Sequence, residues 1–274
     1  MNYGINLGYL TQKASFETVA KILSETGFTT LDYTPNYKSE EWEKLTYKNL
    51  QIIEKNGLSV HQTHAPFNRY GTHGENHMKF TERALQETIM MGAKYMVVHG
   101  DEFDFNNMEY TPQKALEYNY SLFAPIVEKA AANNVKIAFE TVFEDGMENC
   151  PRFCSKAEDL KALIEKFNTE TVCCCWDFGH AGISFGEKHA EKILELGKYI
   201  ECTHVQDYGH NTDLHLPPFL GDNNWDECMA AFAKIGYKGN LTYEMVYGAV
   251  PEAMLGAFAT YLKNTADCLK DLMK

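Results

Sequence analysis

The 274-residue chain is predicted to fold as one α/β domain, a single (β/α)8 TIM barrel covering residues 1–274. Three observations predict it. Short β-branched runs alternate with longer stretches of helical period, eight times in succession. That alternation implies parallel strands joined by right-handed crossovers, and eight such units in roughly 270 residues match a barrel. No Pro/Gly/Ser-rich linker, low-complexity tract or charge block divides the chain. A doubly wound open sheet is the structural alternative. It normally carries a GxGxxG turn after its first strand, and Gly4 to Gly8 followed by Leu10-Thr11-Gln12 does not supply one.

Taken in order, the first strand falls on Tyr3–Leu7. The helix of Ser15–Thr26 follows, with apolar Phe16, Val19, Ala20, Ile22 and Leu23 on one face, Ser15 as N-cap and Gly27 as the residue that ends it. Strand two is Thr29–Tyr33, and the helix Glu40–Asn56 stops at Gly57. Strand three is Leu58–His64, followed by the helix Glu75–Met91 and its terminating Gly92. Strand four is Tyr95–His99. Thr111-Pro112 opens the next helix, with Pro where its missing N–H costs nothing. Strands Val135–Glu140, Val172–Asp177, Ile200–Gln206 and Asn240–Glu244 complete the set, with helices at Ser155–Phe167, Glu187–Leu196, Asn224–Ile235 and Pro251–Met273. The longest loop, about Asp207–Asn223, follows strand seven, and loops of that length are usually functional.

An apolar fraction of 45% with 13% aromatics excludes a disordered chain. Lys and Arg total 25 against 38 Asp and Glu, for a net charge of −13. Only Arg69, Arg83 and Arg152 are arginines, so nucleic acid and anionic membrane surfaces are poor electrostatic partners. The N-terminus has no basic and apolar leader pattern, and no run approaches the ~18 apolar residues of a membrane span. Cys173, Cys174 and Cys175 are adjacent, which in a strand sends neighbours to opposite faces. Buried thiols in a reducing, cytoplasmic compartment are therefore expected rather than a disulfide framework. Cys150 and Cys154 form only half of a zinc-binding pattern.

The chemistry is concentrated at the strand ends. Strands three to eight finish with His64, His99, Glu140, Asp177, His204 and Glu244, all on the C-terminal rim where barrel enzymes keep their active sites. Mixed imidazole and carboxylate groups suit a divalent ion such as Mn2+, Mg2+, Co2+ or Zn2+. Without a cation, carboxylates packed this closely repel one another and take up protons. The loop after strand seven adds Asp213 and His215. A single rim His or Asp is more often a structural hydrogen-bonding residue, so weight falls on the six-strand pattern. His61, His73, His77, His189 and His210 are read as structural or solvated, Trp176 and Met90-Met91 as core, and Trp225 as helix packing. The Glu102–Asp104 pair is read as solvated loop.

His64-Ala65-Pro66-Phe67, Glu140, Asp177-Phe178-Gly179-His180, His204, Asp213-x-His215-x-Pro-Pro and Glu244 together resemble the xylose-isomerase-like barrel superfamily over nearly the whole chain. That superfamily holds sugar and sugar-phosphate isomerases and epimerases and also endonuclease IV. The resemblance to its ketose 3-epimerases implies one divalent metal held by Glu140, Asp177, His204 and Glu244, with His180 touching substrate. The resemblance to endonuclease IV implies a three-zinc set, whose ligand types all have counterparts here in His64, His99, Glu140, Asp177, His180, His204, Asp213, His215 and Glu244. The chain departs from the epimerases at His210, where they carry Arg, and at Phe219-Leu220-Gly221-Asp222, where paired glycines are usual.

The expected activity is isomerisation or epimerisation of a small sugar or sugar phosphate. Glu140 and Glu244 would act as the proton-transferring pair, and the metal would stabilise the enediolate. A multi-zinc phosphodiesterase is the alternative enzyme. A catalytically silent barrel that binds a polyol or a partner is the non-enzymatic one, and a homo-oligomer is compatible with each reading.

Overall fold

The computed structural model describes residues 2–68, 72–100, 110–144, 151–246 and 250–274. The Glu102–Asp104 pair, Arg69 and Cys150 lie outside them. Strands β1 (Tyr3–Asn6), β2 (Thr30–Tyr33), β3 (Ser59–His64), β4 (Tyr95–Val98), β5 (Lys136–Glu140), β6 (Val172–Asp177) and β7 (Ile200–His204) run parallel in sequence order. After a two-stranded insertion, β8 (Asp207–Gly209) and β9 (Thr212–Leu216), strand β10 (Leu241–Tyr243) pairs with β1 and completes an eight-stranded sheet. The Val205 N–H donates to the Thr242 carbonyl at 2.7 Å, joining the last seam. The sheet therefore closes on itself, as the eight-fold alternation requires and as an open doubly wound sheet does not.

Helices α1 (Phe16–Glu25), α2 (Trp42–Lys55), α3 (His77–Met90), α4 (Pro112–Ala132), α5 (Ala157–Phe167), α6 (Phe178–Phe185), α7 (His189–Leu196), α8 (Trp225–Lys234) and α9 (Leu255–Leu272) surround the strands. Local chemistry sets their ends. The Ser15 hydroxyl accepts the Thr18 N–H at 3.1 Å, and the Thr111 hydroxyl accepts the Lys114 N–H at 3.2 Å. Gly27 adopts φ +91° after α1, a conformation that a Cβ would strain.

Strand alternation places the cysteines as expected. Cys173 and Cys175 point into the barrel with Tyr95, Val97, Ala138 and Cys202, while Cys174 joins the larger core between sheet and helices. The cysteines of the described residues are free thiols, and no helix among these residues is long and apolar enough to cross a membrane.

Two features differ from the sequence expectation. The strand-six end passes straight into α6, because the Asp177 carboxylate caps it by accepting the His180 N–H at 2.7 Å. Gly179 and Gly182 lie inside this helix, where glycine is intrinsically unfavourable. Both are required by packing: a Cβ on Gly179 would come within 2.0 Å of the Gln206 side chain, and one on Gly182 within 2.2 Å of Tyr208. The second difference is the long loop after strand seven, which contains the β8–β9 hairpin. Its turn is His210-Asn211, with φ of +52° and +56°. Positive φ at both central residues marks a type I′ turn, a role usually given to Asn-Gly. His210 is thus a turn residue.

Trp176 and His189 behave as core. The Trp176 indole N–H donates to His189 Nε2 at 3.1 Å, and burial pushes the His189 pKa down to about 3. Below the unfolded value of about 6.5 the unfolded chain binds a proton that the native chain excludes. Stability is therefore expected to fall as pH drops from about 6.5 towards 3, by about 1.4 kcal/mol per pH unit from this one residue. Urea unfolding near pH 6.5 and near pH 5 checks it: His189→Gln should show a shallower loss than the parent, and equal losses would refute the assignment.

Candidate metal centre

The six rim residues converge. Glu140, Asp177, His204 and Glu244, from the ends of four strands, each offer a ligand atom, and these atoms lie within 4.8 Å of one another. His204 Nδ1 is 2.9 Å from Glu140 Oε1, 3.3 Å from Glu244 Oε2 and 4.0 Å from Asp177 Oδ2. Glu140, Asp177 and His204 are wholly buried, and Glu244 is 18% exposed towards the mouth. Three further sets among the described residues have the same spacing: His64 with His204 and Glu244, which overlaps this centre, and two that flank it, His64, His99 and Glu140 on one side and His180, Asp213 and His215 on the other.

Glu140 sits at the middle. Its Oε2 faces His64 Nε2 at 3.1 Å and His99 Nε2 at 3.0 Å, while Oε1 faces His204 and, at 3.4 Å, His180. Burial alone would raise its pKa, but the surrounding imidazoles hold it well below the usual carboxylate range. Asp177 has the opposite environment. Its Oδ1 accepts the His180 N–H and the Gln206 side-chain N–H at 2.9 Å, while Oδ2 is buried with no hydrogen-bond partner. Burial, with the charges of Glu140 and Glu244 close by, pushes its pKa up to about 7.

Hydrogen bonds to the outer ring nitrogens show what the inner ones can do. The Nδ1–H groups of His64, His180 and His215 donate to the carbonyls of Ala65, Thr141 and Glu244 at 2.8, 3.0 and 3.0 Å. That leaves Nε2 of each as a lone-pair atom facing a carboxylate: Glu140 for His64, Asp213 for His180 and His215. Two acceptors face to face need a shared proton or a cation between them. With protons only, burial is outweighed by the carboxylates, and the His64 and His215 pKa values rise to about 9. His99 differs. Arg152 Nη2 lies 3.5 Å from His99 Nδ1, and a guanidinium only donates, so the ring proton stays on Nε2 and is given to Glu140. Burial keeps this ring neutral, with its pKa near 4.

The residues fit a resident divalent cation: an orphaned buried carboxylate oxygen, three carboxylates drawn together, and imidazoles turned with lone pairs inward. A cation would replace the protons that those imidazoles otherwise carry.

Three contributors were not read from the sequence. Asp32, near the end of β2, faces His204 Nε2 at 2.9 Å and so fixes the ring with Nδ1 towards the other carboxylates. The strand-end rule that found the rim residues reaches Asp32 once it is applied to strand two. Gln206 spans Asp177 and Asp213, and the Asp207 carboxylate accepts from the Tyr208, Gly221 and Asn223 backbone and from the Trp225 indole. Asp207 thereby anchors the insertion that delivers Asp213 and His215. Asp32→Asn is expected to weaken divalent-metal affinity roughly 10–100-fold with the fold retained. Competition against a chelating dye measures this, and unchanged affinity would count against the role.

The profile of the family described as "Xylose isomerase-like TIM barrel" matches residues 20–271. The uncharacterized protein y4fM of Sinorhizobium fredii is 23% identical over 248 residues, 86% of this chain and 72% of that protein. A probable endonuclease 4 of Metamycoplasma arthritidis is 28% identical over 135 residues, covering 47% of this chain and 46% of its own. Among solved structures, a D-tagatose 3-epimerase-like protein superposes over 100% of both chains with a TM-score of 0.78 at 20% identity, a likeness of fold. With the profile spanning nearly all of the closed barrel and its ligand rim, this chain belongs to the xylose isomerase-like TIM barrel family.

Proposed function

We propose that the chain is a divalent-metal-dependent isomerase or epimerase of a small sugar or sugar phosphate. One observation carries the reading: Glu140, Asp177, His204 and Glu244 converge within 4.8 Å while Asp177 Oδ2 stays buried and unpartnered. The full-length likeness to the D-tagatose 3-epimerase-like protein supports it. Bound among these four residues, a divalent cation would supply Lewis acidity to adjacent carbonyl and hydroxyl oxygens of a sugar.

The chain's own groups do the rest. Glu244 is the carboxylate open to the mouth, and the nearby imidazoles hold its pKa below the usual range, so it stands ionised to take a proton from carbon. Glu140, ionised among imidazoles, would return a proton from the inner side, drawing it from the protonated ring of His64 that faces its Oε2. His180, fixed through Thr141 and Asp213, presents its ring to a substrate oxygen. Glu244→Gln is expected to lower turnover of a ketose panel, assayed with Mn2+, by about 100-fold or more, the scale of a general acid–base contribution. Full activity in this variant, or in protein stripped of metal, would remove the proposal.

A second reading is favoured by the two flanking sets. His64, His99 and Glu140 on one side and His180, Asp213 and His215 on the other are arranged as a multi-metal phosphodiesterase would need. The Arg152–His99 contact weighs against the first of these sets. Elemental analysis separates the readings: one ion per chain supports the isomerase, and two or three zincs support the hydrolase.

A further inference from the structure

We propose that the opposite mouth of the barrel, at the N-terminal ends of the strands, is a second binding site, for an anion of the phosphate class. A cavity of about 330 Å³ opens there. Its walls include His61 of β3, Lys94 ahead of β4, Lys198 and Glu201 at the start of β7, and Lys238 and Asn240 ahead of β10. Strands β3 and β4 stand across the barrel from β7 and β10, so the cavity lies over the barrel axis. The interior cluster of Tyr95, Val97, Ala138, Cys173, Cys175 and Cys202 separates it from the metal-ligand end. It is a site of its own, and the inference does not depend on the function proposed above.

Charge decides what it would take. The chain carries −13 overall, yet three lysines line this one cavity. Lys94 and Lys198 lie over the rings of Tyr95 and Tyr199 at 4.8 and 5.1 Å, and neither they nor Lys238 ion-pairs with a described carboxylate. The wall's carboxylate, Glu201, is already engaged, by Lys136 Nζ at 2.6 Å and by the Tyr95 hydroxyl at 3.2 Å. The lining is therefore net positive. His61 registers it: burial, and then the Lys94 charge, push its pKa down to about 4. Its Nε2 is also buried without a hydrogen-bond partner, a cost that a turn of the ring towards a bound anion would relieve.

Ammonium groups act on phosphate as point charges, and several together suit a dianion. The volume is at the small end of the range for small-molecule sites, enough for a phosphate or a compact phosphorylated metabolite. The competing account is that these lysines only ease the C-terminal dipoles of α3, α7 and α8, which they follow. That account explains each lysine separately. It does not explain why all three border one cavity whose acidic wall residue, Glu201 among the described residues, is bonded elsewhere.

Isothermal titration of metal-stripped protein at low ionic strength tests the proposal, with inorganic phosphate in one arm and glucose 6-phosphate in the other. Saturable binding is expected in at least one arm. Tighter binding of the sugar phosphate would identify a metabolite site, and equal binding a site for free phosphate. The double variant Lys94→Ala/Lys238→Ala should weaken binding at least about tenfold, as losing two phosphate-directed charges implies, while Glu244→Gln leaves it unchanged. If the alanine variant melts early, Lys94→Gln/Lys238→Gln is read in the same titration. Absence of saturable binding, or affinity untouched by the lysine changes, would overturn the proposal. A fall in melting temperature with phosphate affinity intact would do the same, and would leave the helix-dipole account standing.

Discussion

Replacing Glu140 by Gln is expected to unfold the metal-free protein more easily, by about 3–5 kcal/mol, the usual cost of removing one partner from a buried charge pair. Glu140 is fully buried and faces His64, His99, His180 and His204. Without its charge, His64, His180 and His204 lose a group that holds their second protons. The raised pKa of His64, about 9, sets the pH window. A pKa raised in the folded state means stability present below the unfolded value of about 6.5 and lost as pH climbs through about 9. The penalty in Glu140→Gln should accordingly be largest below about pH 6.5 and fade above 9. Denaturant unfolding of metal-stripped parent and variant across this range measures it. A penalty independent of pH, or none, would show that the imidazole cage does not rest on this carboxylate.

Asp177→Asn is expected to do the reverse in the metal-free protein. Its Oδ1 accepts two N–H donors, which an amide oxygen can also accept, whereas Oδ2 is buried beside other carboxylates with no donor. With its pKa pushed up to about 7, the ionised form costs stability that is absent below the ordinary carboxyl value and grows as pH rises towards 7. Removing the charge should recover up to about 1.4 kcal/mol for each pH unit across that interval. The same change should cut divalent-metal affinity by more than about 100-fold, beyond the loss expected from an outer hydrogen-bond partner. A variant more stable when empty yet unable to gain stability from added Mn2+ is the outcome that identifies a ligand. Melting curves with and without metal read both effects. Unchanged metal stabilisation would remove Asp177 from the centre.

The pair separates two roles that a loss of activity alone would merge. Glu140 is stabilised by its surroundings and holds them in place. Asp177 is kept in an unfavourable ionised state, which a bound cation would relieve. Asp32 and Gln206 belong to neither class: they orient His204, Asp177 and Asp213 without standing among the converging atoms.

The barrel and its rim were legible in the residues because both follow from short periods. Alternation of strand and helix dictates parallel pairing, and the last residue of each parallel strand must lie on one face of the closed sheet. His64, His99, Glu140, Asp177, His204 and Glu244 needed no more than that. Other features depended on contacts between residues far apart in the chain. The helix after Asp177 tolerates Gly179 and Gly182 because Gln206 and Tyr208 occupy the space a Cβ would need, and local propensity does not register those neighbours. The hairpin turn at His210-Asn211 depends on positive φ in residues that only sometimes adopt it.

The division is sharpest at the imidazoles. Sequence position put His64 and His99 at strand ends, His180 just beyond Asp177 and His215 in the loop after strand seven, without saying which nitrogen of each ring faces inward. Tertiary structure set them apart, by placing a backbone carbonyl behind three of the rings and the Arg152 guanidinium behind the fourth. A carbonyl takes the ring proton and turns a lone pair inward, while a guanidinium leaves the proton facing in. Which nitrogen can hold a cation is decided by that outer partner, and only the folded chain supplies it.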